Sequence, residues 1–307
     1  MKVETLPVVP DALRSLLQHV QSAYHPQPRP PKRGKRPDFT ELSWLLLAVV
    51  AVTLRTFKDS ELHRLLTKDD RLRQQLGFCR VPDRTWIGRR LNALVPAAEA
   101  QIAALGQIIR DEIKPADDEC AASAIDGRMY EACGPKWHSG DRAAGLVPIG
   151  LRNVDTESHW SKSGYRQWIQ GYRLVQQGLV FPVPVPLWAV WRPNNQGEAA
   201  IAQEAIAQER LVITDALLGD TAFGTPDFTA AYAQAGGWVL TPKGLNPDRH
   251  SWKDDLYAYR KETIELLFQR LLQATDLKEC QVRGEGRNGA FVLASVWLYQ
   301  ICFLVDY

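Results

Sequence analysis

Two aspartates sit where apolar strand-forming residues would be expected. Asp126 follows Ala121-Ala-Ser-Ala-Ile, and Asp220 follows Leu217-Leu218-Gly219. A carboxylate at such a position is costly unless it is hydrogen-bonded, paired with a cation or bound to a metal. Oxygen donors of this kind suit Mg²⁺, which keeps several waters and is commonly held by one or two carboxylates together with phosphate oxygens. A strand-end cap or an ordinary salt bridge would equally satisfy either aspartate taken alone. A third carboxylate is expected on the helical run Lys261-Glu-Thr-Ile-Glu-Leu-Leu-Phe-Gln-Arg-Leu, where Glu262 and Glu265 compete. Ile264, Leu267, Phe268 and Leu271 make its apolar stripe, and Glu265 lies about 110° from the centre of that stripe against about 170° for Glu262. Glu265 can therefore reach a sheet-borne site from the edge of the buried face, whereas Glu262 points to solvent. Asp215, at the end of the run Leu-Val-Ile-Thr, is the alternative to Asp220.

The elements that must position these residues read as an alternating α/β pattern. Strands are expected over 121–127, 167–176 and 183–191, the last two as an antiparallel pair punctuated by Gly178 and Pro182. A helix over 196–209, a strand ending near Asp220, a helix over 225–235, a short strand over 238–240 and helices over 261–274 and 288–303 complete a mixed-sheet order. Asp155 and His159 fall in the long loop before the second strand and read as ordinary loop residues. Trp160, Trp168, Trp188 and Trp191 read as packing residues, and Thr241-Pro-Lys243-Gly as a turn with Lys243 a candidate phosphate contact.

The front half differs in both charge and pattern. Its first 115 residues carry 19 Lys+Arg against 12 Asp+Glu, a net of +7, while residues 116–307 carry 18 against 23, a net of −5. The overall net charge of +2 is thus the sum of a polyanion-binding module and a carboxylate-rich one. Helices are expected over 10–24, 40–54, 60–66, 71–76, 84–95 and 97–113. Between the first two, residues 26–37 hold five prolines and the cations Arg29, Lys32, Arg33, Lys35 and Arg36, which makes an exposed basic arm. The helix over 84–95 has Asp83 as N-cap, an apolar face of Trp86, Ile87, Leu91 and Leu94, and Arg84, Arg89 and Arg90 on the other side, like the second helix of a helix-turn-helix. Lys114-Pro-Ala-Asp-Asp-Glu119 is the linker candidate, so the expected division is a helical basic domain over 1–115 and a carboxylate-rich α/β domain over 116–307, which the resemblance described below implies is the catalytic one. Five scattered cysteines without a C-x-x-C pair exclude a secreted disulfide scaffold, argue against a structural zinc site, and point to reduced thiols in a cytoplasmic setting. The apolar run over 42–54 is too short to span a membrane, and no signal peptide is read at the start.

Four phrases in order resemble the DDE transposases of bacterial insertion sequences: Ser-Ala-Ile-Asp126-Gly, Trp160-Ser-Lys-Ser-Gly-Tyr165-Arg-Gln-Trp-Ile-Gln-Gly171-Tyr, Leu218-Gly-Asp220-Thr-Ala-Phe-Gly and Ile264-Glu265-Leu-Leu-Phe268. Leu76-Gly-Phe-Cys-Arg-Val-Pro82-Asp-Arg-Thr-Trp is similar to their N-terminal region, so the resemblance covers most of the chain. It implies a ribonuclease-H-like mixed sheet flanked by helices, with Asp126, Asp220 and Glu265 as an acidic triad binding two Mg²⁺ or Mn²⁺ ions. It further implies double-stranded DNA partners, both transposon ends and target, engaged by a homodimer in a prokaryotic cytoplasm, with Arg29, Lys32, Arg33, Lys35, Arg36, Arg84, Arg89 and Arg90 contacting DNA and no membrane involved. The family's Tyr-x₂-Arg-x₃-Glu-x₆-Lys pattern is not kept: counting from Glu265 puts Lys261, Ala258 and Leu272 at the Arg, Tyr and Lys positions, with Arg260 and Tyr257 each one residue off.

The implied chemistry explains the residue types. Phosphodiester cleavage must activate a water or a 3′-OH and neutralise charge on the phosphate and leaving oxygen, which two ions roughly 3.5–4 Å apart do together. Without the ions the three acids would repel one another. The alternatives are a nuclease of the same fold without strand transfer, and a catalytically inactive DNA-binding relic.

Overall fold

The computed structural model describes residues 10–26, 39–113, 120–147, 153–164, 167–245 and 250–306. The front half carries helices α1 (Asp11–Ser22), α2 (Glu41–Thr53), α3 (Asp59–Lys68), α4 (Asp70–Gln75), α5 (Arg84–Asn92) and α6 (Val95–Glu112), close to the expected spans. The Thr40 hydroxyl accepts the Ser43 N–H at 3.2 Å to start α2, and residues 43–52 are all buried, as a helix that is apolar all round requires. Asp83 caps α5 by accepting the Thr85 N–H at 2.8 Å. Ile87, Leu91 and Leu94 are buried as expected, but Trp86 is 42% exposed. Its ring lies under the Arg90 guanidinium at 5.0 Å, so a surface cation–π contact replaces the expected core packing. The basic arm and the linker fall in 27–38 and 114–119, outside the described residues.

The back half contains β1 (Ala122–Glu131), α7 (Ser139–Ala143), β2 (His159–Ser163), β3 (Gln167–Leu179), β4 (Val185–Pro193), α8 (Glu198–Ala207), β5 (Ala216–Leu218), α9 (Pro226–Gln234), β6 (Trp238–Leu240), α10 (Trp252–Thr275) and α11 (Glu285–Asp306). The expected mixed α/β order is present. One curled mixed sheet runs β2–β3–β1–β5–β6, with β4 also paired to β3. Strand β3 is antiparallel to β1, from Ser123↔Leu179 to Glu131↔Gly171, and to β4, whereas β5 and β6 join parallel. The β2 strand escapes sequence reading because His-Trp-Ser-Lys-Ser has no apolar alternation; its ladder with Gln167–Gly171 holds it in place. Trp168 is another departure: it is 60% exposed at the start of β3 rather than packed.

Alternation along the strands divides the core. Ala122, Ala124, Tyr130, Tyr172, Leu174 and Trp191 face one side, where Ile264, Leu267, Phe268 and Leu271 of α10 and the apolar residues of α11 and α2 cover them. Ile125, Val175, Trp188, Val190 and Leu217 face the other, covered by α8 and α9. Helices of the front half share the first core, because α11 packs on α2, α5 and α6 as well as on β4. Gly106 lets α6 lie close against the sheet: a Cβ there would overlap the Leu187 carbonyl of β4. The Glu285–Val305 stretch of α11 is long and apolar enough to cross a membrane, yet 67% of its most apolar window is buried within the protein.

Candidate active site

The site arises where the sheet opens. Strand β5 pairs with β1 only over Ala122–Ala124, and β1 then continues on β3 alone. Beyond that fork, Asp126 extends from β1 on the α10 side, while Asp220 follows the end of β5 and caps a 3-10 turn over Thr221–Phe223, accepting the Ala222 N–H at 2.8 Å. Ligands of open α/β sheets sit at such carboxyl ends of strands. The two aspartates come together as the sequence predicts, and they are joined by a residue the sequence reading missed. Glu198, the first residue of α8, brings its carboxylate in from the opposite face, so that single oxygens of Asp126, Glu198 and Asp220 lie within 4.8 Å of one another. Gly127 makes this approach possible, because a Cβ at that position would overlap Glu198 Oε1.

Two arginines balance the acids. Arg260 of α10 donates to Asp126 Oδ2 at 3.0 Å, and Asp126 Oδ1 accepts the Gly127 N–H at 2.8 Å. Arg173 of β3 pairs with Glu198 at 3.0 Å, with both side chains nearly buried. Burial still prevails at both acids. The Asp126 carboxyl is pushed above the ordinary aspartate range by desolvation, opposed by Arg260 and reinforced by the charges of Asp220 and Glu265. Glu198 is pushed up to about 7 by desolvation, with Arg173 opposing and Asp126 and Asp220 adding to it. Tyr257 completes the α10 wall by donating its O–H to the Gly219 carbonyl at 3.1 Å. The Tyr257 and Arg260 side chains thus reach the site despite their offset from the family pattern.

Glu265 lies on the same cleft, which has a volume of about 950 Å³ and is also lined by Lys162, Lys261 and Phe268. Its carboxylate is 68% exposed, pairs with Lys261 at 3.9 Å and stands outside the close group of three. Glu262 is exposed and does not line the cleft. Asp215, the rival to Asp220, sits at the other end of β5, where its carboxylate accepts the Ala121 N–H at 2.8 Å. Asp155 is buried and structural, accepting from the Tyr172 O–H at 2.8 Å and the Gly284 N–H at 2.9 Å. Of the expected DNA contacts, Arg84, Arg89 and Arg90 are exposed on α5, whereas Arg29, Lys32, Arg33, Lys35 and Arg36 lie outside the described residues. The strongest available sign of Glu198 was Gly127, a glycine inside a strand directly after a misplaced aspartate.

No protein-family model matches this chain, and no curated protein does. Among solved structures it is similar to a Mos1 transposase paired-end complex with the left transposon end, with 14% identity, a TM-score of 0.24, and coverage of 99% of this chain and 90% of that one. It is similar also to a pre-cleavage Mos1 transpososome and to a Mos1 mariner paired end complex with Mn, each at 14% identity, a TM-score of 0.23 and the same coverage. At this identity and overlap the likeness carries no functional weight.

Proposed function

We propose that this chain is a DDE-type transposase that cuts DNA phosphodiester bonds at the ends of its own element and joins the freed 3′-OH to target DNA. The observation that carries the reading is the convergence of Asp126 and Asp220 from β1 and β5 at the floor of a cleft walled by basic residues. The donor set fits a hard divalent cation: only carboxylate oxygens meet there, and burial disfavours ionisation of Asp126 and Glu198 while no cation is present. Asp126 and Asp220 are the residues that would hold Mg²⁺ or Mn²⁺, and Glu265 lines the same cleft. When bound, such ions activate the attacking oxygen and neutralise charge on the phosphate and leaving group.

The chain's own groups supply the rest. Lys162 and Lys261 at the cleft rim attract and orient the phosphate backbone. Arg260 holds the Asp126 carboxylate in place by its 3.0 Å bond, and the Tyr257–Gly219 bond fixes the backbone just before Asp220. On the front half, α5 exposes Arg84, Arg89 and Arg90 together with Trp86, whose ring lies under the Arg90 guanidinium, and these basic and aromatic groups suit duplex DNA. The test is a Mg²⁺-dependent assay on a duplex carrying the element's own ends. Joined products are expected. Cleavage without joining would make the protein a nuclease, and a bound but uncut duplex would make it an inactive relic. Asp126→Asn and Asp220→Asn should each abolish both steps while leaving DNA binding intact.

A further inference from the structure

We infer that Glu198, rather than Glu265, completes the inner carboxylate set with Asp126 and Asp220, so that the cation held there is gripped from both faces of the sheet. The inference rests on the phosphoryl-transfer reading above and assigns a residue within it. Glu265 then belongs to the cleft wall.

Three observations carry it. First, Glu198 shares the 4.8 Å group with the two aspartates, whereas Glu265 is 68% exposed and engaged with Lys261 at 3.9 Å. A metal ligand is held in place by packing and neighbouring bonds, and only Glu198 is so held. Second, the backbone is shaped for Glu198. It enters through the gap left by Gly127, in the middle of a strand where any other residue would collide with its carboxylate. A surface glutamate at a helix start needs no such opening. Third, Arg173 is 6% exposed and reaches into the cluster to pair with Glu198, while its Nε has no partner among the described residues. A buried guanidinium that pairs with one of these acids and keeps an unused N–H marks this as a polar site with bonding capacity to spare. An ion pair serving structure alone needs Glu198 and Arg173 only. It gives no reason to bring two further carboxylates beside them, where like charges repel.

The test uses Mn²⁺ alone, titrated into the metal-free full-length chain and followed by loss of the free-ion electron paramagnetic resonance signal. Glu198→Gln should weaken the tightest site by roughly tenfold or more, and Glu265→Gln by less than about threefold. Because Glu198→Gln leaves Arg173 buried without its partner, the double variant Arg173→Met/Glu198→Gln provides a second arm that removes both charges together. It should retain the wild-type circular dichroism spectrum and still lose the site. A Glu198→Gln or double variant that titrates like wild type overturns the inference and leaves the phosphoryl-transfer reading standing. A wild-type chain that binds no Mn²⁺ overturns both.

Discussion

Glu198 makes the metal-free protein more stable in acid than in base over a defined window. Its carboxyl is raised to about 7 from an ordinary 4.5, first by desolvation and then by the neighbouring acids, against the pull of Arg173. The folded state therefore binds this proton more tightly than the unfolded chain does. For an acid shifted upward, the stabilising effect is complete below the unfolded value and is lost as pH rises through the folded one. A rise from 4.5 to about 7 corresponds to about 3 kcal/mol, lost between those two pH values. The side chain is only 13% exposed, so solvent screening removes little of this. Asp126, raised by desolvation, contributes in the same direction. The assay is urea unfolding at half-unit steps from pH 4.5 to 8 in the presence of a chelator, with Glu198→Gln run in parallel. The difference in unfolding free energy, wild type minus variant, should fall across the window by up to about 3 kcal/mol. Adding Mg²⁺ at pH 8 should restore stability to the wild type, since a ligand at a hundred times its Kd adds about 2.7 kcal/mol. A difference that stays flat or rises with pH would refute both the burial argument and the convergence of acids on which it depends.

Other consequences follow from packing and charge. Gly106→Ala forces a methyl into the Leu187 carbonyl, and should cost about 1–3 kcal/mol by calorimetry or denaturant titration as α6 is pushed off β4. Arg84→Ala and Arg89→Ala, both exposed on α5, should each lower the slope of log K against log salt for duplex binding by about 0.9, without changing the cleavage rate of bound DNA. Arg90→Ala should do the same and also blue-shift or quench differently the fluorescence of Trp86, from which it removes a guanidinium at 5.0 Å.

Much of this was legible in the sequence because it violated local expectation. Asp126 and Asp220 stand out as acids in apolar runs, and the stripe Ile264, Leu267, Phe268 and Leu271 correctly gave the buried face of α10. Glu198 was illegible for the opposite reason. A glutamate at the first position of a helix is the ordinary choice, favoured by the helix dipole, and nothing in its neighbours marks it as buried. Only the contact with Gly127, across the sheet, gives it meaning. Tyr257 and Arg260 looked displaced when counted from Glu265, yet three residues apart on α10 they face the same fork and touch Gly219 and Asp126. Trp86 and Trp168 read as core residues from type alone, but their exposure depends on which helix or strand covers them, a property of the tertiary arrangement. Strand β2, with Trp160 as its one aromatic ring among polar residues, exists because β3 extends far enough to hold it.

The central claim is that the Asp126–Asp220 fork performs metal-dependent phosphodiester cleavage on DNA. Its most direct test is single-turnover cleavage of end-labelled duplex carrying the element's ends, with saturating protein and Mg²⁺ or Mn²⁺, comparing wild type with Asp126→Asn and Asp220→Asn. The wild type should cleave, and chelator should abolish the cleavage. Either variant should lose at least about a thousandfold in rate, roughly 4 kcal/mol of activation free energy, with duplex affinity unchanged. Cleavage that persists in both variants, or proceeds without a divalent ion, would contradict it.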